Sequence, residues 1–230
     1  MALSCADICK LARQIAKCPP GYLTQSGQMF NLVMRDLVQH RDLRINIVSA
    51  PLVIQANSNG PFTLAPDFLR TYSLWYLQNG MPYEITPFTL AEFDAQVKQP
   101  QLSNYPYRYA VDTIPLSTQS PQLMYIYPMS NQQITATHRY FLQRAEITNP
   151  ETDTTVPWFD DQDYLTHAVA TNLMKITDDT RWPAYVQEGE KLLRKHLIME
   201  GDKERLTARV GLDHRFFHGN RSLRPTKATD

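Results

Sequence analysis

The sequence predicts an α+β fold in which helices from both ends of the chain form a bundle beside a central, mostly antiparallel β unit. Apolar residues recur with helical spacing near both termini, whereas the middle is rich in β-branched residues, prolines and alternating patterns. We predict a single domain over residues 1–200, with helices within 5–42 and 160–200 and the β unit over about 45–145. An extended C-terminal arm over 201–230 is predicted to follow.

Two amphipathic helices are predicted at the N-terminus. Ser4 and Asp7 form a capping-box pattern, and the apolar stripe that follows ends before two prolines. This stripe consists of Ile8, Leu11, Ala12 and Ile15. A second helix is predicted to begin near Thr24 or Ser26. Its apolar stripe consists of Phe30, Val33, Met34, Leu37 and Val38.

The middle of the chain changes to short strands. Asn79-Gly80 stands between two strand-like runs and predicts a tight hairpin. Thr89 with Glu92 predicts the start of a brief helix. Further strands are predicted in "YRYAVDTI", "QLMYIYPM" and "QITATHRYFLQ". In the last of these, alternate residues form a face that is expected to be buried, namely Ile134, Ala136, His138, Tyr140 and Leu142.

Helical spacing returns in the last third of the chain. Asp160 or Asp161 is expected to cap a helix. Its apolar side consists of Leu165, Val169, Leu173 and Ile176. A last helix has Pro183 in its first turn and is predicted to end at Gly201.

The composition is that of a globular protein without a strong overall charge. Of 230 residues, 43% are hydrophobic, and 23 Lys and Arg are balanced by 23 Asp and Glu. A balanced charge gives no long-range attraction to nucleic acid or to anionic lipid. The residues from Gly201 onward carry seven Lys and Arg against four Asp and Glu. The sequence thus predicts a mildly acidic body and a basic tail.

The cysteines and the N-terminal segment indicate the cellular compartment in which the protein is expected to assemble. Cys5, Cys9 and Cys18 lie close together, and an odd, clustered set favours reduced thiols over a disulfide framework. The same segment lacks a basic region followed by an unbroken apolar run, and no window of about eighteen residues is apolar throughout. We therefore expect assembly in a reducing cytoplasm, without a signal peptide or a membrane span.

Catalytic and cofactor signatures are absent from the sequence. It contains no G-x-G-x-x-G, G-x-x-x-x-G-K-[ST], G-x-S-x-G or H-E-x-x-H pattern. Asp213, His214 and His218 lie close together, and Cys5 and Cys9 would complete zinc-like spacings, but the two pairs lie at opposite ends of the chain. Metal binding there is a minor alternative. We predict no catalytic residue, no cofactor and no metal.

The remaining candidates have a structural interpretation that is favoured over a functional one. For Asp160, Asp161 and Asp163, helix capping is favoured over a cation site, because the glycine and glutamate of an EF-hand loop are missing. Asp178 and Asp179 are likewise interpreted as a turn and cap.

A histidine, two cysteines and an aromatic-rich strand also have a functional alternative. His138 is interpreted as a hydrogen-bonded structural histidine rather than an acid or base. Cys9 or Cys18 as a nucleophile would need a nearby histidine. In "YPYRYAV", strand aromatics that pack on a sheet are favoured over base stacking beside Arg108.

The C-terminal segment "GLDHRFFHGNRSLRPTKATD" is too polar and too rich in Gly and Pro to form its own core. Extended, residues 201–230 would reach up to about 100 Å at roughly 3.3 Å per residue, far enough to leave their own subunit. We predict an arm that orders on binding, with two phenylalanines as anchors and cations that pair with an acidic partner. Its interface residues are predicted to be Arg215, Phe216, Phe217, Arg221, Leu223, Arg224 and Lys227. A solubilising tail and contact with nucleic acid are the alternatives.

Five segments, in order along the chain, carry a resemblance to a known family. They are "ALSCADICKLARQIAK", "GPFTLAPDFLR", "PYEITPFTLAEFDA", "PWFDDQDYLTHAVATNLMKITDD" and "VGLDHRFFHGNRSLRPTK". Together they resemble the head-to-tail adaptors of short-tailed bacteriophages, the tail tubular protein A-like group, over nearly the whole chain. None of the segments is a catalytic signature, so the resemblance rests on their order and combination.

The resemblance implies a non-enzymatic virion protein of the phage neck. It implies a ring, typically of twelve copies, that joins the portal protein to the tail nozzle protein and lets genomic DNA pass. The helical part would pack against the portal and neighbouring copies, the β part would face the tail, and the arm would reach along the portal or an adjacent subunit. Attachment of tail fibres stays open. The alternatives are another neck or tail-completion protein, a small hydrolase around His138 and Asp160–Asp163, and a nucleic-acid-binding module.

Overall fold

The computed structural model describes residues 2–98, 102–103, 105–112 and 122–212. The helices in this part of the chain are α1 (Cys5–Ile15), α2 (Leu23–His40), α3 (Leu90–Val97), α4 (Gln162–Ile176) and α5 (Trp182–Leu212). The strands are β1 (Ile47–Ile54), β2 (Phe62–Thr63), β3 (Phe68–Gln78), β4 (Met81–Glu84), β5 (Thr86–Pro87), β6 (Leu102–Ser103), β7 (Arg108–Asp112), β8 (Leu123–Tyr127), β9 (Met129–Ser130) and β10 (Ile134–Leu142). This combination confirms the predicted α+β class.

The chain divides into two compact units. The described parts of residues 1–30 and 149–230 form the helical unit, and those of residues 31–148 form the β unit. Helix α2 begins in the first unit and ends in the second. The helical unit is therefore built from both ends of the chain, as the sequence pattern predicts.

In the helical unit, α1 and α5 both pack against α4. The predicted capping box of α1 is present, because the Ser4 hydroxyl accepts from the backbone N–H of Asp7 and the Asp7 carboxylate accepts from that of Ser4. The buried residues of α1 are Cys5, Ile8, Cys9 and Ala12. The predicted stripe was partly wrong, because Leu11 is exposed and two cysteines take its place. A free cysteine packs as a small hydrophobic residue.

Helix α5 does not end at Gly201, contrary to the prediction, and continues to Leu212. A glycine in a helix interior costs about 1 kcal/mol relative to alanine. The segment "DKERLTAR" that follows is rich in good helix formers, which offset this cost. Residues 201–212 of the predicted extended arm are thus helical. The rest of the arm lies outside the described residues.

The β unit contains two four-stranded sheets and a small parallel pair. The first sheet has the order β1-β10-β3-β4 and is antiparallel throughout. The second has the order β2-β8-β7-β5, in which β5 runs parallel to β7, and β6 pairs with β9. Residues of both sheets share one apolar core. Its largest members include Ile54, Leu74, Tyr76, Ile85, Met124 and Ile126.

The local signals of the β unit are found where they were predicted. Asn79 and Gly80 both have positive φ, at 52° and 76°, as the tight hairpin between β3 and β4 requires. Thr89 and Glu92 form the predicted capping box of α3. Alternate residues of β10 are buried from Ile134 to Tyr140, and Leu142 is half-buried.

Candidate interaction surfaces

The residues predicted for the C-terminal interface lie outside the described part of the chain. They are Arg215, Phe216, Phe217, Arg221, Leu223, Arg224 and Lys227. Their role in binding a partner stays a prediction.

His138 lies on the buried face of β10, and only 3% of it is exposed. Its Nε2 is 3.1 Å from the Thr71 hydroxyl, and the rings of Phe68 and Tyr140 lie 5.5 and 5.2 Å from its own. Burial lowers the pKa of His138 to about 4, because the charged imidazolium is poorly solvated there. This neutral, hydrogen-bonded packing agrees with the structural interpretation.

The carboxylates of the "WFDDQD" segment are positioned by helix ends. Asp161 Oδ1 accepts from the backbone N–H of Tyr164, 2.9 Å away, and so caps α4. His196 of α5 lies 3.7 Å from Asp160 Oδ1 and 3.8 Å from Asp161 Oδ2. Its ring also packs 4.7 Å from that of Phe159. These contacts attach α5 to the start of α4, and the predicted capping role is confirmed for Asp161.

Asp179 serves the turn between α4 and α5, as predicted. Asp179 Oδ1 accepts from the backbone N–H of Arg181 at 2.9 Å, and both carboxylate oxygens accept from its guanidinium. These hydrogen bonds lower the pKa of Asp179 to about 2. Asp178 has a positive φ of 54° at the end of α4. The arrangement stabilises a tight connection.

The three cysteines are free thiols. Burial raises the pKa of Cys5 and Cys18, and raises that of Cys9 to about 12, because a thiolate is poorly solvated among apolar side chains. Thiols in this state are poor nucleophiles and poor metal ligands. No group of three His, Cys, Asp or Glu side chains in the described residues is arranged to hold a metal ion. His214 and His218 lie outside them.

One of the three tyrosines of "YPYRYAV" packs in the core, whereas Tyr105 and Tyr107 are 40% and 48% exposed. Tyr109 is buried, and the Arg108 guanidinium lies 5.8 Å from the ring centre of Phe88. Tyr105 is partly exposed and packs 5.1 Å from Tyr83. The packing interpretation thus describes this segment better than an open platform for bases.

An open cavity of about 440 Å³ occurs in the β unit beside the start of β3. It is lined by Pro66, Asp67, Gln143, Arg144, Ala145 and Glu146. Neither His138 nor the Asp160–Asp163 cluster contributes to this lining, so the cavity does not support the hydrolase alternative. Among the helices that the structure describes, none has the length and apolarity to cross a membrane.

Sequence reasoning missed the exposed apolar residues of the β3–β4 hairpin. Leu77 is 61% exposed and Met81 is 65% exposed, on either side of the Asn79-Gly80 turn. Val53 at the end of β1 is exposed as well. The available signal was the presence of Leu77 and Met81 within two positions of a hairpin turn. Such groups are typical of interaction surfaces when they share one face.

The sequence matches the model of the SU10 adaptor protein family over residues 4–209. The chain belongs to the SU10 adaptor protein family. The matched range runs from the cap of α1 into the last turns of α5 and so includes both units. No curated protein matches the sequence.

Membership of the SU10 adaptor family agrees with the resemblance to head-to-tail adaptors. It identifies the chain as a phage adaptor, a structural protein of the virion. A structural role also agrees with a buried neutral histidine, carboxylates that cap helices, and buried thiols. For an adaptor, the surfaces that contact partners are the functional sites.

Proposed function

We propose that this adaptor joins the portal protein to the tail nozzle protein in the neck of a short-tailed phage. Copies form a ring, of about twelve subunits by the resemblance, through which genomic DNA passes. The observation that carries the proposal is the family match from α1 to α5. A chain with equal numbers of acidic and basic residues supports passage of DNA without tight binding. Assembly takes place in the bacterial cytoplasm, and tail fibres are a further candidate partner.

The C-terminal segment is proposed as the portal-binding element. Helix α5 carries the chain to Leu212, and residues 213–230 follow with two adjacent phenylalanines and four Lys and Arg. Buried aromatic rings with flanking arginines are typical of the residues that dominate binding energy at interfaces. A role as another neck or tail-completion protein is the second candidate, because family membership does not distinguish positions within the neck.

The experiment that tests the proposal is cosedimentation with portal rings of the same virion, counting bound copies per ring. The full chain is compared with a chain that stops after Leu212, which keeps the whole of α5. We expect saturable binding of the full chain and loss of binding on truncation. Binding that survives truncation would move portal docking to the helices. Absence of binding by either form would contradict the portal-binding role and favour another neck position.

Point variants test whether the two phenylalanines anchor the C-terminal segment or whether only the length of the segment matters. We expect Phe216→Ala combined with Phe217→Ala to weaken portal binding about 30-fold or more, as for aromatic anchors elsewhere. Tyr107→Ala is the matched control, because it removes an exposed aromatic ring from the β unit. Equal binding by the double variant and the control would contradict the anchoring role.

A further inference from the structure

The first sheet of the β unit has a solvent-facing side, which we name the outer face. Its opposite side belongs to the apolar core, with Leu52, Leu74 and Ala136 buried. Because side chains alternate along strands, the residues between these point the other way. Paired across β1, β10, β3 and β4, the outer-face residues are Ser49, Pro51, Val53, Thr135, Thr137, Arg139, Ser73, Trp75, Leu77, Pro82 and Glu84.

The outer face carries few charges for the wet side of an antiparallel sheet. Arg139 and Glu84 are the charged members of the set just named, and the others are apolar or carry hydroxyl groups. The surrounding sequence is equally poor in charge, since residues 45–66, 71–83 and 113–138 contain no Asp, Glu, Lys or Arg. Leu77 is 61% exposed and Val53 is 41% exposed. In an antiparallel sheet with one side in water, residues along each strand normally alternate between buried apolar and exposed polar side chains.

The β4 edge of this sheet is poor in free backbone donors, which disfavours the addition of another strand there. The Ile85 N–H donates to the Leu74 carbonyl at 2.8 Å, which fixes the hydrogen-bonded pairs of the β3–β4 ladder. Residues 83 and 81 therefore face β3, as Ile85 does. The backbone of residue 82, which lies between them, faces away from β3. Proline at that position has no N–H, so β4 offers few donors to another strand.

The area of the outer face indicates which occupant it fits. Four strands about 4.8 Å apart, each with about five residues at about 3.3 Å of rise per residue, give a surface of roughly 300 Å². A stable interface between two proteins buries about 800 Å² on each side. A single pair of copies joined through this face would therefore be weak. A contact repeated in every subunit of a ring gains strength from multivalency.

We propose that the outer face docks a protein surface on the tail-side ring that is poor in charge and largely apolar. The inference rests on the adaptor function proposed above, because an adaptor needs a second partner surface beside the one that binds the portal. A face that carries charge only at Arg139 and Glu84 matches a partner surface that is also poor in charge, because a charge buried against its other residues without a counter-charge would oppose binding. The contact depends on apolar burial and is therefore insensitive to salt.

The test uses portal rings loaded with the full-length adaptor, to which purified tail nozzle rings of the same virion are added. Nozzle binding is measured by cosedimentation at about 50 mM and about 500 mM NaCl. We expect less than about a twofold change with salt. Leu77→Glu is expected to weaken nozzle binding about tenfold or more.

Met81→Glu is the matched control. It adds the same charge to the same hairpin at a residue of similar exposure, 65%, but on the opposite side of β4. Portal loading of each variant is measured first, so a loss there counts against the proposed function and not against this inference. Normal portal loading with equal nozzle binding by Leu77→Glu and Met81→Glu would overturn the inference. A change in self-association instead, seen by light scattering, would assign the face to a second copy and overturn it too.

Discussion

His138 illustrates how a polar residue can be used as part of an apolar core. It follows the buried alternation of β10, and its Nε2 is satisfied by the Thr71 hydroxyl. The cost of burying the imidazole is reduced by that hydrogen bond and by packing against the rings of Phe68 and Tyr140. The cost of burying the imidazolium is not, and this difference makes the β unit sensitive to acid.

We therefore predict that stability falls between about pH 6.5 and pH 4. The pKa of His138 is about 4 in the folded chain and about 6.5 when unfolded, so the unfolded state takes up a proton first. The stabilisation is complete above pH 6.5 and declines below it by about 1.4 kcal/mol per pH unit. The total loss of stability reaches roughly 3 kcal/mol at pH 4. Urea unfolding across this range measures it. A His138→Phe variant should have a flatter profile than the unaltered protein. Equal slopes for the two would contradict the prediction.

Gly60 is a position where side chains are excluded by the backbone. Its φ is +105°, and a Cβ there would lie 2.8 Å from the Met124 carbonyl oxygen. We predict that Gly60→Ala lowers the free energy of unfolding by about 3 kcal/mol. Gly189 in α5 is the control, because its Cβ would meet nothing within 4 Å. Gly189→Ala should stabilise by about 1 kcal/mol. Urea unfolding of both variants checks the contrast, and effects of the same sign would refute it.

At the scale of elements, features fixed by short stretches of sequence were predicted correctly. Both capping boxes, the buried stripe of α2 and the Asn79-Gly80 hairpin depend on residues within a few positions of each other. The end of α5 was wrong because the propensity of the following residues outweighs one glycine. Parallel pairing of β5 with β7 was not predicted, since it depends on residues far apart in sequence.

Edge strand β4 leads to a prediction of its own. Pro82 lies where the backbone faces away from β3, so it removes an outward donor from an exposed edge. Replacement by valine would restore an N–H and raise β propensity. We predict that Pro82→Val leaves the fold intact and increases concentration-dependent association, measured by light scattering. Pro87→Val makes the same change on β5, an edge strand of the second sheet. It tests whether the increased association is specific to the β4 edge. Unchanged association of Pro82→Val would show that the proline does not protect the edge.

At the scale of the whole molecule, the candidate site was less predictable than the fold. The C-terminal residues were chosen for chemistry that is visible in sequence, such as Phe216 beside Arg215. The outer face was not visible, because Val53, Leu77 and Thr135 come from three strands that only the sheet register brings together. Helical and strand periodicity report burial along one element, and a surface shared between elements requires the topology.

The chain passes between the two units at residues 30–31 and again at 148–149. Asn31 follows the first of these positions, and its side chain is hydrogen-bonded to Ile147, which precedes the second. Its Nδ2 donates to the Ile147 carbonyl at 2.9 Å, and its Oδ1 accepts from the Ile147 N–H at 3.2 Å. Two hydrogen bonds from one side chain thus tie α2 to the segment that returns to the helical unit.

We predict that Asn31→Ala destabilises the protein by about 1–3 kcal/mol, because it leaves the Ile147 N–H and carbonyl without partners. The neighbouring Leu32 is exposed on the same helix, so Leu32→Ala should cost less than about 0.5 kcal/mol. Urea unfolding followed by tryptophan fluorescence reports on both units, through Trp75 in the β unit and Trp158 in the helical unit. If both units depend on this junction, a single shifted transition is expected. Equal effects of the two variants would show that the paired hydrogen bonds do not stabilise the crossing.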